Sequence, residues 1–147
     1  MEYNIVPYEG INNIKYGMTQ TEVETIAGKA DEIIDDIVMR EKREKRNDII
    51  FIYRSEKLVT LVFSEHFMLG KHAVLLNGIP LYVNEETIIV LQQNYMDTPL
   101  KGGKNGVLFH EFGILFLGYK KSKKKNESEL RCFAKERLRF HEILLDA

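Results

Sequence analysis

Tryptophan is absent from this chain, cysteine occurs once and proline three times in 147 residues. A lone Cys132 cannot close an internal disulfide, which excludes the small disulfide-stapled scaffolds and suits a reducing compartment. Charge of one sign is lacking as well. Twenty-one basic residues stand against 22 acidic ones, so no bulk basic excess marks a nucleic-acid binder. No apolar run nears the roughly 18 residues that cross a bilayer. The opening MEYNIVPYEG has neither the basic head nor the apolar stretch of a signal peptide, so a cytoplasmic protein without a membrane partner is expected. Hydrophobic residues at 44% and charged residues at 29% exclude a disordered chain, and the length suits a single domain over 1–147 with its own core.

Local signals punctuate what remains. Thr19 with Glu22 three positions on is a capping box, Met18 and Val23 are placed for a hydrophobic staple, and Gly28 is a stop. A short helix of about ten residues with Val23, Ile26 and Ala27 on one face follows from these. Ile33, Ile34, Ile37 and Val38 fit a strand running into a charged hairpin. Ile49 to Arg54 and Leu58 to Phe63 alternate about a Ser-Glu-Lys turn. In the second of these, Val59, Leu61 and Phe63 form the heavier face and are expected to meet the core. His72 to Leu76 reads as a strand closed by Asn77-Gly78.

The pattern then starts again. Asn84 can cap EETIIVLQQNY, with Ile88, Leu91 and Tyr95 on one face. Aligning Asn84 with Thr19 sets Ile88 against Val23, Leu91 against Ile26 and Ile79 against Ile14. Val107 to Phe112 and Ile114 to Tyr119, split by Gly113, echo IIFIYR and LVTLVF. Leu130 to Ala134 reads as a last strand and LRFHEILL as a closing helix. The expected fold is α+β: an antiparallel β-sheet with helices packed on one face, two helix-plus-strand-meander copies (1–77 and 78–147) being one account of the pattern.

Reactive constellations are sparse. His66, His72, His110 and His141 are scattered, with no His-x-x-x-His or Cys-x-x-Cys spacing to hold zinc. His110-Glu111 between Phe109 and Phe112 offers an acid–base pair, but strand neighbours point to opposite faces. Cys132 would need a histidine against it to act as a nucleophile, and is read as a small core residue. Asp31, Glu32, Asp35 and Asp36 supply oxygen ligands without the glycine-punctuated loop of a calcium site. KGGKNG (101–106) lacks the Walker ending and is read as a mobile loop leading into Val107. No cofactor and no metal is called for.

Charge is uneven along the chain. Glu22 to Asp36 carries six acidic side chains and one lysine, whereas Arg40 to Arg46 (REKREKR) and Lys120 to Lys125 (KKSKKK) are basic. Basic hairpins can meet phosphates, but KKSKKK has no interleaved aromatics to stack on bases, so nucleic acid is not the expected partner. Solvated loops, or steering of a charged protein partner, account for such runs.

Ile14-Lys15-Tyr16-Gly17-Met18-Thr19, followed by Glu22-Val23 and Gly28, resembles a recurring bacterial module: an Ile, a short spacer, Gly-Met-Thr, a Glu-Val helix ending in Gly, then a strand meander. It is similar to the small outer-membrane assembly lipoproteins, to the β-lactamase inhibitor protein in tandem form, and to immunity proteins of polymorphic or contact-dependent growth-inhibition toxin systems. The chain has no lipobox cysteine near Met1 and no disulfide pair, which leaves the immunity type. The resemblance implies a non-enzymatic protein that binds one cognate toxin domain and blocks its active site or substrate access. It supplies no contact residue by position. The local acidic balance makes Asp31, Glu32, Asp35 and Asp36 the candidate contacts. The competing readings are a small enzyme around His110 and Glu111 or Cys132, a nucleic-acid accessory using its basic hairpins, and a structural subunit.

Overall fold

A computed structural model describes residues 1–119 and 128–146. It is an α+β protein built on two sheets. Three short strands open the chain: β1 (Glu2–Val6), β2 (Gly10–Ile11) and β3 (Ile14–Lys15). Helix α1 (Gln20–Ala27) follows, then a four-strand meander of β4 (Glu32–Asp36), β5 (Glu41–Arg46), β6 (Ile49–Arg54) and β7 (Lys57–Ser64). A single turn, α2 (Glu65–Met68), leads to the hairpin β8 (Ala73–Leu76) and β9 (Ile79–Pro80). Helix α3 (Glu85–Asn94) then precedes β10 (Leu100–Gly102), β11 (Gly106–Phe109), β12 (Ile114–Leu117) and β13 (Glu129–Phe133). A 3-10 turn at Lys135–Arg137 enters the last helix, α4 (Leu138–Leu144).

The helix and its meander therefore occur twice, and the two meanders join into one eight-stranded sheet, β10-β11-β12-β13-β7-β6-β5-β4. The seam is antiparallel pairing of the two last strands, Leu130 opposite Phe63. Each helix is preceded by a hairpin, β2–β3 before α1 and β8–β9 before α3. These lie at opposite ends of a small sheet, β3-β2-β1-β8-β9, held by parallel pairing of β1 with β8. The expected echo is thus off by one strand. β6 and β7 are the third and fourth strands of the first meander, whereas the runs from Val107 and Ile114 are the second and third of the second.

Both helix starts form as their sequences predict. Thr19 Oγ1 accepts from the Glu22 amide at 3.2 Å while Glu22 reaches back to the Thr19 amide at 3.1 Å. Asn84 Oδ1 accepts from Thr87 at 2.8 Å. Val23 and Ile88 are both buried, but Ile26 stays 46% exposed where its counterpart Leu91 is fully buried. Gly17, at φ 94°, lets the chain turn so that its amide donates to the Leu58 carbonyl at 2.8 Å, tying the Gly-Met-Thr segment to β7.

One large core lies between the eight-stranded sheet and the layer of α1, α2, α3 and the small sheet. The expected one-sided packing holds for these three helices and not for α4. That helix covers the second face through Leu138, Leu144 and Leu145, against Leu108, Leu115 and Phe133. The predicted core face of β7 is also corrected. Ile52 pairs with Thr60 but Tyr53 with Leu58, so Val59 is an extra residue in a bulge. The bulge turns Leu58 into the main core with Leu61 and Phe63, and sends Val59 to the other face with Ile52 and Val62. Among the described residues no helix is long and apolar enough to cross a membrane.

Candidate functional site

The charged segment EKREKR is strand β5, two strands from the seam strand β7 and next to the edge strand of the sheet. Its charges were expected on a solvated hairpin, but Glu41, Glu44 and Arg46 are buried. Alternation divides them between the two faces. Toward α1, Arg46 Nη1 donates to Glu44 Oε1 at 2.8 Å, and Arg46 Nε donates to the carbonyl of Gly28 at 2.7 Å. Gln20 Nε2 donates to Glu44 Oε2 at 3.0 Å, and the Arg46 guanidinium lies 4.9 Å from the Phe51 ring centre. Burial alone would raise the Glu44 carboxyl, but Tyr53, Arg46 and Gln20 more than offset it and hold it below its ordinary value. Burial, with Glu44 alongside, raises the Tyr53 hydroxyl well above its own. Toward α4, Arg137 Nη2 donates to Glu41 Oε2 at 2.7 Å and Arg43 Nη2 to Glu41 Oε1 at 3.3 Å. REKREKR is thus largely neutralised in place and offers no continuous basic face.

This fixed strand carries β4 as the edge of the sheet. Every β4 residue is exposed or half-exposed. The four predicted contact residues all lie on or beside it, and two of them have structural work. Asp31 Oδ2 accepts from the Asn47 amide at 3.0 Å, bracing the β5–β6 turn. Asp36 Oδ1 accepts from the Met39 amide at 3.0 Å, closing the turn between β4 and β5. Asp35 makes a solvent-exposed pair with Lys42 at 3.7 Å, and Glu32 sits opposite Lys45 in the register. Acidic and apolar side chains share both faces: Glu32, Ile34 and Asp36 on one, Ile33 and Asp35 on the other.

Sequence reasoning named the carboxylates and missed the exposed aliphatics among them. Ile33 is 58% exposed, Ile34 50%, Ile37 87% and Val38 91%. The residues were visible as a strand-forming run. That Ile33 and Ile34 face solvent follows from β4 being last in the sheet, with no strand or helix beyond it among the described residues, while Ile37 and Val38 stand on the turn after it. Beside this edge an open cleft of about 850 Å³ separates the hairpin from the start of α1, with Thr19, Gln20, Asp35, Lys42 and Tyr53 on its walls.

The other candidates fall elsewhere. Phe109 ends β11, and His110 and Glu111 form a turn, not the expected strand. Tyr8 donates its hydroxyl to the His110 carbonyl, and His110 Nε2 lies 3.9 Å from Glu142 of α4 on the sheet's second face. Cys132 points into the main core on the opposite side, where burial raises its thiol pKa far above the ordinary value. The structure does not bring His110, Glu111 and Cys132 together. His141 is buried, stacked on Phe133 at 4.0 Å, with Nδ1 donating to the Arg137 carbonyl at 2.8 Å.

KGGKNG, read as a loop leading into Val107, comprises the end of β10, a short connection at 103–105 and the first residue of β11, and the connection is seated on the end of α4. A Cβ on Gly103 would meet Leu145 at 2.7 Å and one on Gly106 the Phe116 carbonyl at 2.2 Å. KKSKKK (120–125) lies outside the described residues. Among the described residues no group of three or more His, Cys, Asp or Glu side chains could hold a metal ion.

Comparison with protein families, with curated proteins and with solved structures returns no match for this chain.

Proposed function

We propose that this chain is an immunity protein of the polymorphic or contact-dependent growth-inhibition type: a cytoplasmic, non-enzymatic binder that neutralises one cognate toxin domain in a 1:1 complex. The observation that carries this reading is the β4 edge. This strand, backed by β5, and the turn that follows it expose aliphatics (Ile33 and Ile34 in β4, Ile37 and Val38 in the turn) among the carboxylates Asp31, Glu32, Asp35 and Asp36. Apolar side chains held in water beside charge are what a recognition surface needs: burial for affinity and a polar surround for specificity. The twice-repeated helix and meander is in keeping with the resemblance drawn from Gly17-Met18-Thr19. A standard interface buries about 1,600 Å² in all, so the edge would form the centre of a patch that includes the α1 side of the cleft. The acidic quartet would steer a basic toxin surface and speed capture.

The test starts with affinity capture of the tagged chain from its native host and identification of the partner by mass. The captured domain, expressed alone, should arrest growth, and co-expression of the chain should relieve the arrest. Charge reversal of Asp31, Glu32, Asp35 and Asp36 should slow association at least tenfold at low salt, while an unchanged on-rate would take the quartet out of the interface. A partner that is harmless by itself would overturn the reading.

A further inference from the structure

Among the described residues strand β4 has a neighbour on one side only, β5, so the backbone donors and acceptors along its outer side have no described strand to pair with. Natural sheets usually blunt such an edge by shortening it, covering it, or placing proline or charged side chains on it, and here the charges are all negative. This edge is five residues long, contains no proline, and carries two adjacent isoleucines at least half exposed. Behind it β5 is pinned on both faces, by Glu44 and Arg46 under α1 and by Glu41 and Arg137 under α4. The edge is therefore presented in a fixed, strand-ready conformation.

Its chemistry limits what can pair with it. A second copy adding antiparallel about a two-fold axis would set residues of like parity opposite one another. Centring on Ile34 places Glu32 opposite the copy's Asp36, and centring on Asp35 places that carboxylate against itself. Either seam brings together the three carboxylates of β4 from each copy, and like charges directly opposite are destabilising. The same residues invite a strand of opposite sign.

We propose that β4 is a docking edge for β-strand addition, and that its occupant is an extended segment of the partner protein in which lysine or arginine and aliphatic residues alternate along each face, in the order cation-cation-aliphatic-aliphatic-cation. In antiparallel register, cations on one face of that segment meet Glu32 and Asp36 around an aliphatic contact with Ile34. On the other face a cation meets Asp35 beside an aliphatic contact with Ile33. Main-chain hydrogen bonds supply affinity and the charge pattern supplies choice of partner, rejecting copies of this chain and acidic strands alike. The assignment rests on the inhibitor reading for the identity of the partner, but not for the existence of the edge site.

The probe is an acetylated, amidated seven-residue peptide with the core lysine-lysine-valine-valine-lysine flanked by threonines, titrated at low salt into the full-length ¹⁵N-labelled protein. The expected result is that amide resonances of residues 32–36 shift and gain protection from exchange. The same peptide with glutamate in place of every lysine, and the lysine–valine peptide N-methylated at every second amide, should each bind at least tenfold more weakly. Both changed residues of the Glu32→Lys/Asp35→Lys variant are at the surface, and an otherwise unchanged amide spectrum will report that it is folded. It should lose binding of the lysine–valine peptide tenfold. Equal binding of the N-methylated or acidic peptide, shifts confined to other strands, or a concentration-dependent dimer that protects residues 32–36 would each overturn the assignment. Growth protection is scored separately. Peptide docking on β4 without protection sinks the toxin reading alone, and protection by a chain whose β4 ignores the peptide sinks the docking edge alone.

Discussion

Arg137 and Glu41 stand 96 positions apart in sequence and 2.7 Å apart in the fold, both nearly devoid of solvent contact. The Arg137 guanidinium also stacks on Phe140 at 3.9 Å. A buried pair of this kind adds little net stability, but removing one member strands the other in a medium that cannot solvate it. Arg137→Met alone should cost about 3 kcal/mol in urea denaturation, toward the low end for a broken buried pair because Arg43 still reaches Glu41. Glu41→Leu with Arg137→Met should recover most of that loss. Equal destabilisation by the single and double variants would show that the pair is not the reason. His141 makes a second residue-scale test. Burial, only partly offset by its bond to the Arg137 carbonyl, lowers its pKa to about 3, whereas in the unfolded chain it titrates near 6.5. Between those values the unfolded state binds the extra proton. Stability is then complete above about pH 6.5 and falls as pH drops toward 3, by about 1.4 kcal/mol per pH unit. Chemical denaturation at pH 7 and pH 5 should therefore show a loss that is about 2 kcal/mol larger in the wild type than in His141→Phe. Matching pH slopes would mean that His141 is protonated in the folded protein.

At the scale of elements, the hairpins report how tightly the first meander is wound. Asn47-Asp48 between β5 and β6 and Ser55-Glu56 between β6 and β7 all have positive φ, from 48° to 67°. That is the two-residue geometry matching strand twist, for which Asn-Gly is the favoured sequence. Ser55 and Glu56 adopt it against their own preference, so Glu56→Gly should raise stability by about 0.5–1 kcal/mol. A fall in the urea midpoint would show that the Glu56 side chain does more than turn the chain. Legibility in the sequence follows the same division between local and distant causes. The caps at Thr19 and Asn84, the turn at Asn77-Gly78 and the strands from Ile49 and Leu130 rest on neighbours within a few positions, and each forms as read. The bulge at Val59 and the pairing of β1 with β8 depend on residues distant in sequence, so alternation by itself chose the wrong face for Val59. EKREKR misled for the same reason, since the partners that let Glu41 and Arg46 go under cover are Arg137, Gly28 and Phe51. The candidate carboxylates could be picked out as a cluster. Their setting among exposed isoleucines could not, because position in the sheet decides exposure.

For the whole molecule, the eight-stranded sheet places its two meanders back to back and leaves β10 and β4 as its ends. The β10 end is short, with Gly102 in its strand, and its hairpin packs on Leu145. The β4 end is longer, more apolar and uncovered among the described residues. An inhibitor of the proposed kind needs one such asymmetry and a frame behind it, and the ion pairs on either side of β5 supply one. The proposed mode of action is inhibition by occupancy. The most direct measurement is a titration of the captured toxin domain's activity with purified chain. Activity should fall linearly and reach its floor at one equivalent, with both proteins recovered at unchanged mass. Loss of activity at a small fraction of an equivalent, or a toxin fully active beside an excess of the chain, would contradict it.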